Sequence, residues 1–176
     1  MHTEQMTRVA LMTALLAATA PLSIPLASEV PLSLATLMVM LAGVLLGPKD
    51  GAACVVFYLL LGSVGIPVFA NYTSGIAILL GVTGGFLLGY IPLAFFSGFF
   101  CAGKKTIPMM IMGMALGNII LYVSGTLWFM FFARMSLWSS LLACVFPFLP
   151  GDCLKIAAAC AIAMRLSPVL DRHFAR

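Results

Sequence analysis

Charge is scarce in this chain: 8% of its 176 residues are charged, as five acids and nine bases. Soluble domains carry about a quarter, so these residues are too few to cover a water-facing surface. Histidine is nearly absent, with His2 and His173 both in the tails, and the five cysteines form no C-x-x-C pair. Metal ligation therefore lacks a donor set, and the cysteines read as small buried hydrophobes. No His/Cys/Asp cluster or nucleophile–base pair recurs along the chain, which leaves catalytic residues unassigned. The net charge of +4 comes from bases in short loops and tails, a topology signal rather than a nucleic-acid footprint. Arg8 precedes an apolar stretch, but no A-x-A site followed by a hydrophilic region is present, so that stretch is expected to be retained.

What is present is apolar. Hydrophobic residues make up 63% of the chain and mean hydropathy is +1.17. Long continuous runs without period-2 alternation exclude a barrel and point to an all-α membrane protein. Proline, glycine and charge divide the chain into six apolar segments, near 6–27, 32–47, 50–66, 80–102, 108–132 and 146–166. The expectation is a six-transmembrane-helix bundle forming one domain over 1–176, in the lipid bilayer of the cell membrane. Arg8, Lys49, Lys104, Lys105, Arg165, Arg172 and Arg176 fall on the side of the termini, against Arg134 alone on the other. That bias puts both termini in the cytoplasm, so the first, third and fifth loops face outward. The fifth loop runs from Arg134 toward Pro147.

Within the sixth segment, "FLPGDCLK" carries Asp152 and Lys155. With a span starting near Pro147 they lie one to two turns inside, and at i and i+3 they share a helix face. A charge at mid-bilayer costs about 2.5–3.5 kcal/mol on insertion scales. Two such charges are expected to point into the bundle, toward an outward-opening pocket. Simple mutual pairing is one reading. The other is a ligand that carries an anionic group for Lys155 and N–H donors for Asp152.

Few other polar side chains interrupt the spans. Asn118 and Tyr122 share a face of the fifth span and suit either interhelical bonding or ligand contact. Ser33 and Thr36 open the second span, where they line a cavity or bond their own backbone. Asn71 lies in a polar outer loop, and Thr83, Gly84 and Gly85 open the fourth span, offering backbone N–H groups to a ligand. Gly81, Gly85 and Gly89 also form a small-residue row suited to close helix packing. Ala10, Ala14 and Ala18 form a similar ridge on the first span, for internal packing or for a partner protein. "GFFCAGKK" (98–105) matches a phosphate loop except at Lys105, but it ends an apolar span with no preceding strand. It is read as a cytoplasmic anchor, so any ATP hydrolysis belongs to another chain.

The stretches "IPLASEVPLSLATLMVMLAGVLLGPKDG" (24–51), "LLGSVGIPVFA" (60–70), "GVTGGFLLGY" (81–90) and "FLPGDCLK" (148–155) together resemble the BioY family. These are the biotin-specific S components of energy-coupling factor (ECF) transporters. The resemblance covers nearly the whole chain and implies a six-helix protein that binds biotin from outside, with no further cofactor. It implies docking on a membrane coupling subunit and two ATPase subunits, transport by toppling in the bilayer, and a lid between the third and fourth spans. It also implies that Asp152 and Lys155 meet biotin, and that Ala10, Ala14 and Ala18 dock the coupling subunit. The chain departs from the family pattern at "NYTSG", at Val82 and at Ala35. A different vitamin is the main alternative substrate, and an intramembrane enzyme a remoter one.

Overall fold

The computed structural model describes residues 3–24, 32–103 and 106–174. Helix α1 (Thr3–Thr19) stops before Pro21, short of the expected end near residue 27. The chain then enters a two-residue antiparallel pairing, β1 (Ser23–Ile24) with β2 (Leu32–Ser33), in which Ser23 lies opposite Ser33. Ser33 Oγ accepts from the Ala35 amide at 3.0 Å and starts α2 (Ala35–Leu46). The break expected between the second and third apolar segments shrinks to one residue. Gly47 takes φ 91°, and Pro48 opens α3 (Pro48–Ser63) at once. This is the usual order of glycine after one helix and proline at the head of the next.

After α3 the chain is irregular. A single 3-10 turn at Ala70–Tyr72, with Asn71 and Tyr72 both at positive φ, precedes α4 (Ile76–Leu79). Helices α5 (Gly84–Phe99) and α6 (Ile107–Ala133) follow. The expected fifth loop instead contains a helix, α7 (Leu137–Cys144), capped by Ser136 Oγ on the Ser139 amide. The last helix, α8 (Leu149–Phe174), starts at Leu149, so Asp152 lies in its first turn and not one to two turns inside. The "GFFCAGKK" stretch ends α5 and turns through Cys101–Gly103, with no strand before it. Lys104, Lys105 and Arg176, and the side chain of Arg172, lie outside the described residues, as does the loop from Pro25 to Pro31.

The helical class holds. Helix α6 is long and apolar enough to cross a membrane alone, and α7 with α8 to Leu166 passes as a pair bent by 47°. Helices α2 and α5 are apolar but shorter. Leu116, Val123, Leu127 and Phe131 of α6 are exposed, a face that lipid and not water would cover. Met40, Tyr58, Phe69, Leu93, Met114, Leu121 and Phe129 fill the interior, along with four of the five cysteines.

Contacts identify the two ends of the bundle. Gly98 of α5 lies against the Gly43 carbonyl and the Gly47–Pro48 peptide, so this end holds the α2–α3 turn. At the other end Ser23 Oγ donates to Asn71 Oδ1 at 2.8 Å, joining the β1–β2 strap to the loop after α3. Trp128, near the end of α6, donates from Nε1 to the Gly81 carbonyl at 2.8 Å at that same end.

Helices α5 and α6 pack through glycine. Gly85 lies on Trp128, and a Cβ on Gly89 would fall 2.7 Å from Leu121 Cδ1 and 2.8 Å from Ser124 Oγ. Gly89→Leu is therefore expected to destabilise the bundle by about 2 kcal/mol through overpacking. Thermal unfolding in detergent measures this, and an unchanged midpoint contradicts the packing described.

Candidate ligand-binding site

The polar centre sits near the strap end. Asp152 is 5% exposed, in the first turn of α8. A carboxylate there is favoured by the positive end of the helix dipole. Lys155 follows one turn later and donates from Nζ to Asp152 Oδ1 at 2.9 Å. Its Nζ also donates to Thr36 Oγ1 at 2.8 Å, and Thr36 in turn donates to Asp152 Oδ1 at 3.4 Å. The Tyr122 hydroxyl of α6 donates to the other carboxylate oxygen, Asp152 Oδ2. Three helices, α2, α6 and α8, thus converge on one carboxylate. Two of the three N–H groups of Lys155 are engaged among the described residues, which leaves donor capacity on the ammonium.

The pair is not sealed in. A small cavity of about 40 Å³ lies beside it, lined by Thr36, Tyr122, Phe148, Asp152 and Lys155 together with Ser33, Phe86 and Tyr90. Those last three residues also line a larger cavity of about 310 Å³. Phe69, Asn71, Ile78, Gly81, Thr83 and Leu87 are among the other residues that line that larger space. The shared lining makes one crevice with a charged recess and a mainly apolar hall. An apolar enclosure with a few converging polar groups is the usual form of a small-molecule site.

The loop between α3 and α5 forms the wall over the hall. Its anchor is Phe69, buried with its ring edge-on to Tyr58 at 5.6 Å between centroids. Gly62 of α3 leaves the slot that this ring fills, since a Cβ at that position would overlap it. Tyr58 OH donates to the Val68 carbonyl at 3.0 Å, and the Gly75 amide to the Gly62 carbonyl at 2.7 Å.

The structure sorts the residues singled out from sequence. Asp152, Lys155, Tyr122 and Thr36 meet in one network, and Asn71 and Thr83 line the hall. Asn71 is exposed, and its carboxamide oxygen already accepts from Ser23. Three residues are corrected. Asn118 shares the azimuth of Tyr122 but lies one turn farther from the strap end, where its Nδ2 meets Met40 Sδ at 3.6 Å, and it lines neither of these two cavities. Gly85 packs on Trp128, while Gly84 lies against the Leu79 carbonyl and its amide donates to the Gly81 carbonyl at 3.1 Å; neither lines either cavity. Ala10, Ala14 and Ala18 are exposed on α1, whose buried face is Val9, Met12, Thr13 and Leu16. That row is therefore not interior packing within this chain.

Phe69, Phe86, Tyr90 and Phe148 were not anticipated as wall residues. Their one sequence signal is weak: Tyr90 closes the glycine-rich stretch "GVTGGFLLGY", but an aromatic in an apolar helix looks the same whether it faces lipid or a cavity.

A family-wide sequence model, that of the BioY family, matches residues 1–172. The chain is similar to the probable biotin transporter BioY of Pyrococcus horikoshii, with 36% identity over 94% of this chain and 98% of that one. It is 41% identical to the biotin transporter BioY2 of Lactococcus lactis subsp. cremoris, over 76% of this chain and 73% of that one. The structure resembles a crystal structure of the S-component for biotin from an ECF-type ABC transporter, with a TM-score of 0.86 and 32% identity. That match covers 93% of this chain and 90% of the other.

The network carries its own test. Lys155→Met alone strands a buried carboxylate and is expected to cost about 3 kcal/mol, the low end for breaking such a pair. Asp152→Leu combined with Lys155→Met is expected to recover most of that loss, because neither charge is then left unpaired. Unfolding midpoints of the single and double variants in detergent decide this, and a double variant no more stable than the single one contradicts it.

Proposed function

The chain belongs to the BioY family, and from that premise we propose that it is the biotin-capturing S component of an ECF-type vitamin uptake transporter. It is a membrane protein. One observation carries the reading: a buried Asp–Lys pair, with Tyr122 and Thr36 completing its hydrogen bonds, opens on a crevice large enough for a small molecule. Biotin offers a carboxylate, a ureido ring with two N–H donors and a carbonyl, and an apolar thioether ring with an alkyl arm. Lys155 suits the carboxylate or the ureido carbonyl, and Asp152 suits a ureido N–H. Phe69, Phe86, Leu87 and Tyr90 suit the apolar remainder.

The entering ligand exchanges hydrogen bonds with the network and adds no bare charge to it. In the free protein Lys155 and Asp152 neutralise each other, which offsets the desolvation of both. A ureido group presents acceptor and donor together and so takes over part of each residue's bonding. The strap and the loop after α3 then cover the ligand.

The reading extends to the whole chain as one integral membrane domain. Helices α1, α2, α3, α5 and α6 and the bent α7–α8 pair supply six spans, with both termini cytoplasmic and the crevice facing outward. Arg8 near the chain start, Lys49 at the α2–α3 turn and Arg165 late in α8 support this orientation, since Arg134 follows α6 at the opposite end. ATP hydrolysis falls to two partner ATPase subunits, and a membrane coupling subunit receives the exposed Ala10, Ala14 and Ala18 row, where small side chains let a helix approach closely.

Two expectations test this. By isothermal titration, biotin binds the wild type tightly and Lys155→Ala loses at least about tenfold in affinity, the effect of about one charged hydrogen bond. Unchanged affinity removes Lys155 from the site, and tight binding of another vitamin with none of biotin replaces the substrate. Ala14→Leu is expected to keep biotin affinity while reducing co-purification with the coupling subunit, and intact co-purification removes the alanine row from the interface.

A further inference from the structure

Helix α4 is a single turn, Ile76–Leu79, with no buried residue of its own. A turn this short does not hold itself in water or at a membrane surface. Yet Ala77, Ile78, Gly81, Val82 and Thr83 form a continuous wall of the larger cavity. Most hydrogen bonds of this segment are internal: the Ile78 amide to the Gly75 carbonyl, Leu80 to Ile76, and Gly81 to Ile78. At its C-terminal end the segment runs on into α5, whose Gly84, Phe86 and Leu87 amides donate to the Gly81 and Thr83 carbonyls. Among the described residues, two hydrogen bonds tie it to helices other than α5. The Gly75 amide donates to the Gly62 carbonyl of α3 at its start, and Trp128 Nε1 donates to the Gly81 carbonyl at its end.

The indole is itself firmly held. It stacks on Phe132 with ring centroids 5.2 Å apart and planes at 18°, and Trp128 fills the space that Gly85 leaves open. Trp128 and Tyr122 are on the same helix, six residues apart, or about 9 Å along the axis. Tyr122 holds Asp152, and Trp128 holds the wall. One rigid helix therefore sets the distance between the charged recess and the wall of the hall.

We infer that Trp128 is a positioning residue for ligand retention: its N–H pins the α4–α5 wall to α6, in register with the Asp152–Lys155 pair. It does not line either cavity, so it acts on the ligand only through the wall. The effect on ligand rests on the biotin reading above, but the pinning does not.

The test uses the full chain in nanodiscs with Trp138→Phe as background, so that Trp128 is the sole indole. Trp128→Phe keeps a stacking ring and removes the donor. A second variant replaces Trp128 with benzothienylalanine, which keeps the indole shape without the N–H and guards against misfolding. In both, hydrogen exchange without ligand is expected to accelerate over residues 76–83 and to stay unchanged over α2 and α3. Biotin dissociation is expected to quicken by about fivefold, the value of one neutral hydrogen bond, with association within about twofold. A merely stabilising residue would instead lower the unfolding midpoint without that kinetic split. Unchanged exchange over 76–83 overturns the inference, and so does an unchanged dissociation rate in variants that bind biotin. If the background protein binds no biotin while exchange over 76–83 still rises, the ligand assignment fails and the pinning stands.

Discussion

An ammonium and a carboxylate 2.9 Å apart in an apolar bundle set the requirements for everything around them. Neither ion can be left alone there, because an unpaired buried charge costs more than any single packing contact returns. The carboxylate needs donors beyond the lysine, and α6 and α2 supply them from Tyr122 and Thr36. The break between α7 and α8 also matters: it starts α8 at Leu149 and puts Asp152 in a first turn, at the end of the helix dipole that favours a negative charge. The pair is satisfied without ligand and still faces a cavity, which lets it exchange partners without passing through a bare charge.

The rest of the strap end encloses the space beside that pair. The β1–β2 strap meets the loop after α3 through Ser23 and Asn71, and Phe69 fixes that loop in the slot over Gly62. Two consecutive non-glycine residues at positive φ, Asn71 and Tyr72, show that the loop is held by such contacts and not by its own preference. The other end is closed by direct backbone packing of α5 on the Gly47–Pro48 turn. A rigid base and an assembled mouth suit capture from one side.

Much of this was legible in the residues. The long apolar runs specified helices, and Gly47–Pro48 specified a turn, because those two residues have few other uses side by side. An acid and a base three apart in an apolar run had to face inward together, and they do. Helical spacing reports azimuth but not depth, which is why Asn118 was grouped with Tyr122 yet packs on Met40. Gly85 offered both an amide and a place in a small-residue row, and the position of Trp128 shows the packing side of it. Helix α7 was hidden because "LWSSLLAC" lies in a stretch already bounded by Arg134 and Pro147 and is too short to show periodicity. The aromatic walls were illegible for a further reason: in a chain this apolar, a phenylalanine facing a cavity and one facing lipid look alike.

The central claim is that the Asp152–Lys155 pair grips biotin at the recess of the crevice. A crystal structure of this chain with biotin bound tests it most directly. The account predicts a biotin heteroatom within hydrogen-bond distance of Asp152 or Lys155, with at least one of the bonds among Lys155, Thr36 and Tyr122 rearranged. Biotin seated elsewhere, with that network unchanged, would contradict it.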